Sequence, residues 1–372
     1  MVYHRPLLLA FAASFFFFLS FQSLFSTFPI FVQGLGGEAA FIGATQGSFA
    51  LTAILFRPLA GWVSDRMGRR VGLILGSAIF TLSMLLYCFV RDLKSLLFLR
   101  AFHGTGIAFF TTAFAAFVSD LAPSEKRGEI MGIGWMSIPI SLLLAPLLGD
   151  FLALGGNFPR LFLAGAGFGA LSLTLTLALP ETLKSSHQAQ TPSPVSDIAA
   201  LVLLTGALGV SYGAIISFLP VFLDEKGLGP SGFFFSLFSS ILIPSMILGG
   251  RLSDRAGRIR VATPALALVT LALAFFPLIQ SHVLLALLAL TYGLGYGTLR
   301  TTIDAFILDR VLPTARGKAL GLNYAGFDAG IGFGSLLLGF LAQKYGYGSV
   351  YVASATAVIM AAAIFLWEVS KW

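Results

Sequence analysis

Long runs of apolar residues, each about as long as a membrane is thick, alternate with short polar segments along the chain. A bilayer core of about 30 Å needs about 20 apolar residues in a helix, so each run is a candidate span. Six such helices are predicted first, at 6–32, 40–60, 71–90, 95–119, 129–153 and 160–180. Six more follow at 198–222, 230–250, 261–279, 283–307, 317–342 and 349–369. The predicted fold class is therefore an all-α integral membrane protein with twelve transmembrane helices.

The longest polar stretch lies near the middle of the chain and reads ETLKSSHQAQTPSPVSD. Its Ser, Pro and Gln content is typical of a linker. We therefore predict an N-terminal six-helix half at 1–180, a cytoplasmic linker at 181–197 and a C-terminal six-helix half at 198–372.

Composition and charge narrow the function classes. Hydrophobic residues make up 57% of the chain and charged residues 10%, whereas soluble domains carry about 25% charged residues. The net charge of +7 is distributed unevenly: the termini and even-numbered connections hold 15 Lys and Arg residues, and the odd-numbered connections hold 5. By the positive-inside rule, both termini are predicted to be cytoplasmic, in a multi-pass protein of the cell (inner) membrane. The basic charge then reflects topology, and no nucleic acid partner is expected.

The two halves repeat one motif. The segment GWVSDRMGRR begins at Gly61, and GRLSDRAGRI begins 189 residues later at Gly250. The same offset carries Asp120 to Asp309 and Arg127 to Arg316. Agreement of two separate loops on one offset indicates an internal duplication, and parallel repeats of six helices are typical of transporters.

These motifs resemble the signature of the major facilitator superfamily, in its place after the second and eighth helices. The segments DLAPSEKRG (120–128) and DRVLPTARG (309–317) resemble the companion loops of that family. The resemblance, which extends to twelve-helix proton-coupled efflux members, implies two halves related by a pseudo-two-fold axis and a small-molecule substrate. It says little about which substrate, because one fold hosts many.

The resemblance also implies a cytoplasmic gating motif. Asp65 is expected near the start of the eleventh helix, and Arg69 is expected to pair with Asp120, as Arg258 with Asp309. These charges would hold the halves together in one state and release them in the other. The alternative is that the arginines only set topology. The full set is Gly61, Asp65, Arg66, Gly68, Arg69, Asp120, Arg127, Gly250, Asp254, Arg255, Gly257, Arg258, Asp309 and Arg316.

Charges inside the predicted spans are candidates for substrate or proton binding. Arg100 costs about 2.5–3.5 kcal/mol at mid-depth and is expected to face a cavity or a partner, although it could instead snorkel outward. The spacing from Arg100 to Gly104 resembles a second motif of proton-coupled members. His103 lies on the same face and is either a proton carrier or a packed histidine.

The first and fifth helices contain two further candidate features. Gln22 lies on a stripe with Phe18, Phe25 and Ser26, where it could bind substrate or link helices. The segment APLLGD (145–150) partly resembles an antiporter motif, and a kink at Pro146 is the alternative.

The second half holds the sharpest combination of charges. Arg300 and Asp304 are four residues apart and share a helix face, which Tyr296 extends by one turn. Asp328 is expected near the midplane of the eleventh helix, one turn after Tyr324. An Asp that alternates between a solitary setting and one beside Arg300 could carry protons. The alternative is a static ion pair.

The predicted function is secondary active transport by alternating access, with protons as coupling ion. A phosphate loop of the Walker A type is missing, as are Ser/His/Asp and metal-ligand arrangements, so we expect no enzyme, no cofactor and no metal. Proton-coupled export of small organic or amphipathic compounds is the first hypothesis. Import of an organic anion or neutral metabolite is the alternative, and a non-transporting receptor or scaffold is a third. The expected partners are the substrate, protons and the lipid bilayer, and the chain is expected to function as a monomer.

Overall fold

A computed structural model describes residues 4–123, 126–183, 198–312 and 316–369. All regular structure in these ranges is helical, with no strand. The first unit of the fold contains α1 (His4–Gln22), α2 (Phe28–Gly34), α3 (Ala39–Arg66), α4 (Arg69–Tyr87), α5 (Leu93–Leu121), α6 (Arg127–Trp135), α7 (Ser137–Leu152) and α8 (Phe158–Leu177), except for the first residues of α3. The second contains α9 (Ala199–Glu225), α10 (Gly232–Ala256), α11 (Arg258–Phe275), α12 (His282–Arg310), α13 (Arg316–Tyr345) and α14 (Gly348–Val369).

In the described ranges, twelve helical segments are long and apolar enough to cross a membrane. In this count α6 and α7 form one segment, Glu129–Leu152. The prediction of an all-α, twelve-span fold is confirmed.

The chain divides into two compact units, one of Met1–Gly36 with Ser48–Ser186 and one of Gly37–Gly47 with His187–Trp372. The first turns of α3 therefore belong to the second unit, while the rest of that helix belongs to the first. Most of the predicted linker, 184–197, lies outside the described residues. The exact boundaries predicted at 180 and 198 stay a prediction.

The predicted first helix, 6–32, is broken in the structure. Between α1 and α2 the backbone tightens: the amide of Leu24 donates to Phe21 and that of Phe25 to Gln22, three residues back. Pro29 begins the second piece, where its missing N–H costs nothing. Hydropathy alone cannot show this break, because the residues on both sides of it are apolar.

The predicted span 129–153 is also divided. Met136 separates α6 from α7, and Pro139 follows three residues later. Proline cannot donate to the carbonyl four residues before it, here that of Trp135, so the helix is interrupted at this point. Pro146 lies inside α7, and the kink given as the alternative at this residue stays a prediction.

The helices that carry the duplicated motif extend further than predicted. Only Met67 and Gly68 separate α3 from α4, and only Gly257 separates α10 from α11. Gly68 and Gly257 have φ angles of 122° and 94°, which a residue with a Cβ rarely adopts. By contrast, Gly61 and Gly250 are helical, and a Cβ on either would meet nothing within 4 Å.

The short start of α3 packs tightly on α13 within the second unit. A Cβ on Gly43 would lie 2.2 Å from the carbonyl oxygen of Ser335, and one on Gly339 would lie 2.8 Å from that of Ala39. The Gln343 amide donates to the Glu38 carboxylate beside this contact. Glycine on both helices allows the two backbones to approach this closely.

Candidate functional site

The first motif forms a charge cluster at the end of the first unit's helices. Arg69 begins α4, and its Nε donates to the Asp120 carboxylate at 3.1 Å on the last turn of α5. Its Nη1 contacts the Asp65 carboxylate on the last turn of α3 and lies 3.3 Å from the Ser64 hydroxyl. One guanidinium thus links three helix ends, as its fork of donors allows.

The second unit repeats this cluster. Arg258 Nε donates to Asp309 at 2.8 Å, and Nη1 donates to the Ser253 hydroxyl at 2.8 Å and to the Asp254 carboxylate. The pairs expected from the family resemblance, Arg69 with Asp120 and Arg258 with Asp309, are therefore both present. Their part in gating stays a prediction.

Three other arginines of the motif, within the described part of the chain, form no ion pair with these clusters. Arg66, Arg255 and Arg316 have exposed side chains. The side chain of Arg127 lies outside the described part of the structure.

Sequence reasoning missed Glu181, which completes the first cluster. Its carboxylate accepts the backbone N–H groups of Arg69 at 2.9 Å and Arg70 at 3.1 Å, at the N-terminus of α4. Glu181 therefore caps a helix whose own N-cap residue, Gly68, has no side chain to do so. The neighbouring Thr182 hydroxyl donates to Asp120 at 3.2 Å.

Nothing in the local sequence points to this contact, because Glu181 lies 112 residues from Arg69. The second unit offers no described counterpart: the 189-residue offset leads to position 370, which the structure does not describe.

Arg100 is buried in the first unit, so the alternative that it snorkels outward is wrong. The side chain is 2% exposed, and its guanidinium carbon lies 4.4 Å from the ring centroid of Phe28 and 4.5 Å from that of Phe49. Rings on two sides attract a cation through their negative faces. They also desolvate it, which is the condition under which a guanidinium attracts an anion strongly.

His103 lies next to Arg100 and is fully buried. Its Nδ1 is 3.1 Å from the Tyr87 hydroxyl and 3.5 Å from Arg100 Nη1, and its ring meets the Phe80 ring edge-on at 4.2 Å. A guanidinium only donates, so Nδ1 faces it as an acceptor. These contacts describe a packed histidine; a role in proton transfer stays untested.

Gln22 is buried at the end of α1 and accepts a hydrogen bond from the Ser141 hydroxyl of α7. In the break between α1 and α2, the Ser26 hydroxyl donates to the Pro146 carbonyl of α7 at 2.9 Å. Of the two interpretations of Gln22, the structure shows helix-to-helix hydrogen bonding. The APLLGD segment therefore contacts the broken first span.

The second unit brings its charges together between α12 and α13. Asp304 accepts from the Asn323 amide at 2.9 Å and from the Tyr324 hydroxyl at 3.3 Å. Arg300, one turn earlier on α12, places its guanidinium carbon 4.9 Å from the Tyr324 ring and 4.7 Å from the Phe327 ring. We call Arg300, Asp304, Asn323 and Tyr324 the α12–α13 polar cluster.

Two buried atoms of this cluster have no hydrogen-bond partner among the described residues: the Asn323 side-chain oxygen and Arg300 Nη1. One is an acceptor and the other a donor, so a bound polar group could satisfy both. Sequence reasoning missed Asn323, although it precedes Tyr324 and lies one turn from Phe327.

Asp328 and Tyr296 border the cluster. Asp328 is partly buried on α13 and near enough to Arg300 and Tyr296 to interact with them electrostatically. Tyr296 is buried in a group of rings with Tyr212 and Tyr292, at centroid distances of 5.7 Å and 5.6 Å. The aromatic group thus continues the cluster along α12. Within the described ranges, no group of His, Cys, Asp and Glu residues could hold a metal ion.

Comparison with known proteins identifies the family. The profile of the Major Facilitator Superfamily matches residues 10–313. The chain belongs to this superfamily. It is accordingly a membrane transporter and not an enzyme.

The relatives and solved structures agree on this. Multidrug resistance protein 1 of Bacillus subtilis is 24% identical over 354 residues, which cover 91% of this chain and 90% of that protein. The Staphylopine export protein of Staphylococcus aureus is 25% identical over 367 residues, which cover 92% of this chain and 91% of that protein. A bacterial homolog of the human lysosomal transporter Spinster has a TM-score of 0.82 at 15% identity, with 98% and 96% of the chains covered. The nucleoside transporter NupG has a TM-score of 0.79 at 17% identity, with 97% and 99% covered. At such identities the structures establish the fold alone.

Proposed function

We propose that this superfamily member is a secondary active transporter that exports small organic or amphipathic compounds by alternating access, in exchange for protons. The observation that carries the proposal is the α12–α13 polar cluster. Ionisable side chains within membrane spans are costly and usually mark substrate or proton pathways. The names of the relatives, several of which are called multidrug resistance or export proteins, support the outward direction.

Asp304 is the best-supported proton carrier. The two residues that donate hydrogen bonds to Asp304 lie on α13, whereas Arg300 lies on α12 together with Asp304. A small shift of α13 along α12 would remove both donors and leave the carboxyl group in a different electrostatic setting. Proton uptake at a carboxyl depends on such a change of neighbours. Asp328, the carrier expected from the sequence, lies on α13 itself, would move with that helix and is the second candidate.

The alternative is proton-coupled import of an organic anion or neutral metabolite. It is favoured by Arg100 and Arg300, whose guanidinium groups both lie over aromatic rings. Such a desolvated cation binds anions readily.

The test measures luminal pH in proteoliposomes when candidate solutes are added outside without an imposed gradient. Amphipathic cations, sugars, amino acids and organic anions are tested in turn, and protein-free liposomes control for passage through lipid alone. Export by antiport predicts that luminal pH rises as solute enters, whereas symport predicts that it falls. A fall would overturn the export proposal in favour of import, and solute entry without any pH change would exclude proton coupling.

Variants locate the carrier. Asp304→Asn should bind and move solute downhill without a pH change, and Asp328→Asn tests the second candidate in the same way. Asp224→Asn is the matched control, because Asp224 is an exposed aspartate at the end of α9. Full coupling in both Asp304→Asn and Asp328→Asn would rule out the carrier role of this site.

A further inference from the structure

The second unit has an open groove of about 440 Å³ between α11 and α14, which the proposed transport cycle does not use. This volume is within the range of about 300–1,000 Å³ typical of ligand pockets. Thr263, Ala267 and Leu271 line it from α11, and Ile359, Ala363 and Leu366 line it from α14. The lining has two polar side chains, Thr263 and Thr270, and the Thr263 hydroxyl donates to the Ile259 carbonyl of its own helix. The other lining residues are aliphatic. An apolar occupant therefore suits the groove.

The internal duplication allows this groove to be compared with the equivalent place in the first unit. In the first unit the equivalent helices α4 and α8 touch: the Ser77 and Ser172 hydroxyls are 3.1 Å apart, and a Cβ on Gly169 would lie 2.7 Å from Thr81. At the 189-residue offset Ser77 is replaced by Leu266 and Gly169 by Val358. Leucine and valine are larger than serine and glycine and do not let two helices approach as closely. An open space therefore remains between α11 and α14, whereas α4 and α8 pack directly against each other.

A cation stands at one end of the groove. Arg260 is three residues before Thr263 and seven before Ala267, so these residues share one face of α11. Its side chain is exposed and makes no ion pair or hydrogen bond within the described ranges. The duplicated position in the first unit is Val71, so this charge also belongs to the second unit alone.

An aromatic residue of α14 lies at the same end of the groove as Arg260. Trp367 follows the groove residue Leu366 and is 61% exposed. Tryptophan is enriched where a membrane protein passes from hydrocarbon to headgroup. Arg260 and Trp367 thus place the headgroup level at the mouth of the groove.

We infer that the α11–α14 groove is a binding site for an anionic phospholipid, with one acyl chain in the groove and the phosphate against Arg260. Basic residues between helices at the cytoplasmic side are a recurrent setting for anionic lipid headgroups. Under the predicted orientation the lipid comes from the inner leaflet. The groove shares no lining residue with the α12–α13 polar cluster, so this inference stands independently of the proposed function.

The experiment uses the full chain in vesicles of phosphatidylethanolamine that carry a lipid with a photoactivatable acyl chain. The probe is phosphatidylglycerol in one set and phosphatidylcholine in the other, and labelled peptides are quantified by mass spectrometry. Peptides of α11 and α14 should carry about fivefold more label from phosphatidylglycerol, the ratio expected for one basic residue near the surface. Peptides of α4 and α8 should show a ratio near one.

Two variants separate headgroup from chain. Arg260→Gln should bring the ratio on α11 and α14 to about one, whereas Arg251→Gln, an equal charge change at an exposed arginine of α10, should leave it unchanged. Ala363→Phe should fill the groove and reduce labelling from both lipids, and Leu287→Phe on an exposed face of α12 should not. Equal labelling by both probes in the unaltered chain would overturn the inference. So would cross-links between two copies of the chain through α14, which would identify the groove as a dimer contact.

Discussion

Glu181 shows most directly how a single side chain organises the first motif. Its carboxylate accepts two of the N–H groups at the start of α4, those of Arg69 and Arg70, that have no partner within the helix. We expect Glu181→Ala to destabilise the protein by about 0.5–2 kcal/mol, as loss of an N-cap usually does. The midpoint of thermal unfolding in detergent measures this, with Glu129→Ala, an exposed glutamate, as control. An unchanged midpoint would show that the cap contributes nothing to stability.

Gly68 and Gly257 form a matched pair of residues with which to separate strain from contact. Both have a φ angle that disfavours a side chain, so alanine should cost about 1–3 kcal/mol at either. A Cβ at Gly68 would additionally lie 2.2 Å from the Glu181 carboxylate, whereas one at Gly257 would meet nothing within 4 Å. Gly68→Ala should therefore lower the unfolding midpoint more than Gly257→Ala. In a Glu181→Ala background the difference should disappear, and its persistence would contradict this account.

Asp92 provides a pH dependence outside the membrane spans. The backbone N–H and hydroxyl of Ser95, with the N–H of Lys94, donate to its carboxylate and hold the pKa of Asp92 below its ordinary value. A lowered folded-state pKa means that the ionised cap stabilises the protein above about pH 4 and that this contribution is lost as pH falls through the folded-state pKa. Asp92→Ala should thus destabilise the protein more at pH 7 than at pH 3. Equal destabilisation at both values, measured by thermal unfolding, would contradict a charge-dependent cap.

At the scale of elements, hydropathy predicted how many helices there are but not where they break. Apolar runs of span length identify helices because the bilayer demands them. The interruptions at 23–27 and Met136 depend on local backbone hydrogen bonds and on Pro29 and Pro139, which hydropathy does not register. Contacts between distant segments, such as Glu181 with α4 or Asn323 with Asp304, were likewise beyond prediction from one sequence.

The contact of α1 with α7 makes an element-scale prediction. A Cβ on Gly149 would lie 2.1 Å from the Ser23 carbonyl oxygen, at the break between α1 and α2. Because backbone atoms cannot yield as a side chain can, Gly149→Ala should destabilise the protein by about 1–3 kcal/mol. Gly167→Ala, where nothing lies within 4 Å, should be close to neutral in the same unfolding assay. Similar midpoints for the two variants would mean that this helix contact adjusts freely.

At the scale of the whole molecule, the duplicated clusters carry the prediction about cycling. Sequence repetition located Asp65, Arg69 and Asp120 and their counterparts, because identical residues that recur at one offset can be recognised from the sequence alone. It could not locate the α12–α13 polar cluster as a unit, since only the fold brings Asn323 to Asp304. The motif has the same geometry in both halves, whereas the intramembrane charges differ between them.

We predict that Asp120→Asn and Asp309→Asn both reduce the maximal transport rate while leaving the affinity for the substrate nearly unchanged. Each change removes the carboxylate charge that pairs with Arg69 or Arg258 at a helix end, and neither aspartate belongs to the α12–α13 polar cluster. Rates and half-saturation concentrations in proteoliposomes measure the two effects separately. A change confined to affinity would argue against a role in conformational cycling.

The division of α3 has a consequence for biogenesis. Its first turns, Gly37–Gly47, belong to the second unit and pack through Gly43 against Gly339 on α13. The ribosome synthesises α3 almost 300 residues before α13, so this segment is made long before the helix against which it packs. A gene split within the linker would therefore yield an N-terminal fragment with one unfinished helix face, and both fragments would have to be co-expressed in one membrane before either could complete its packing.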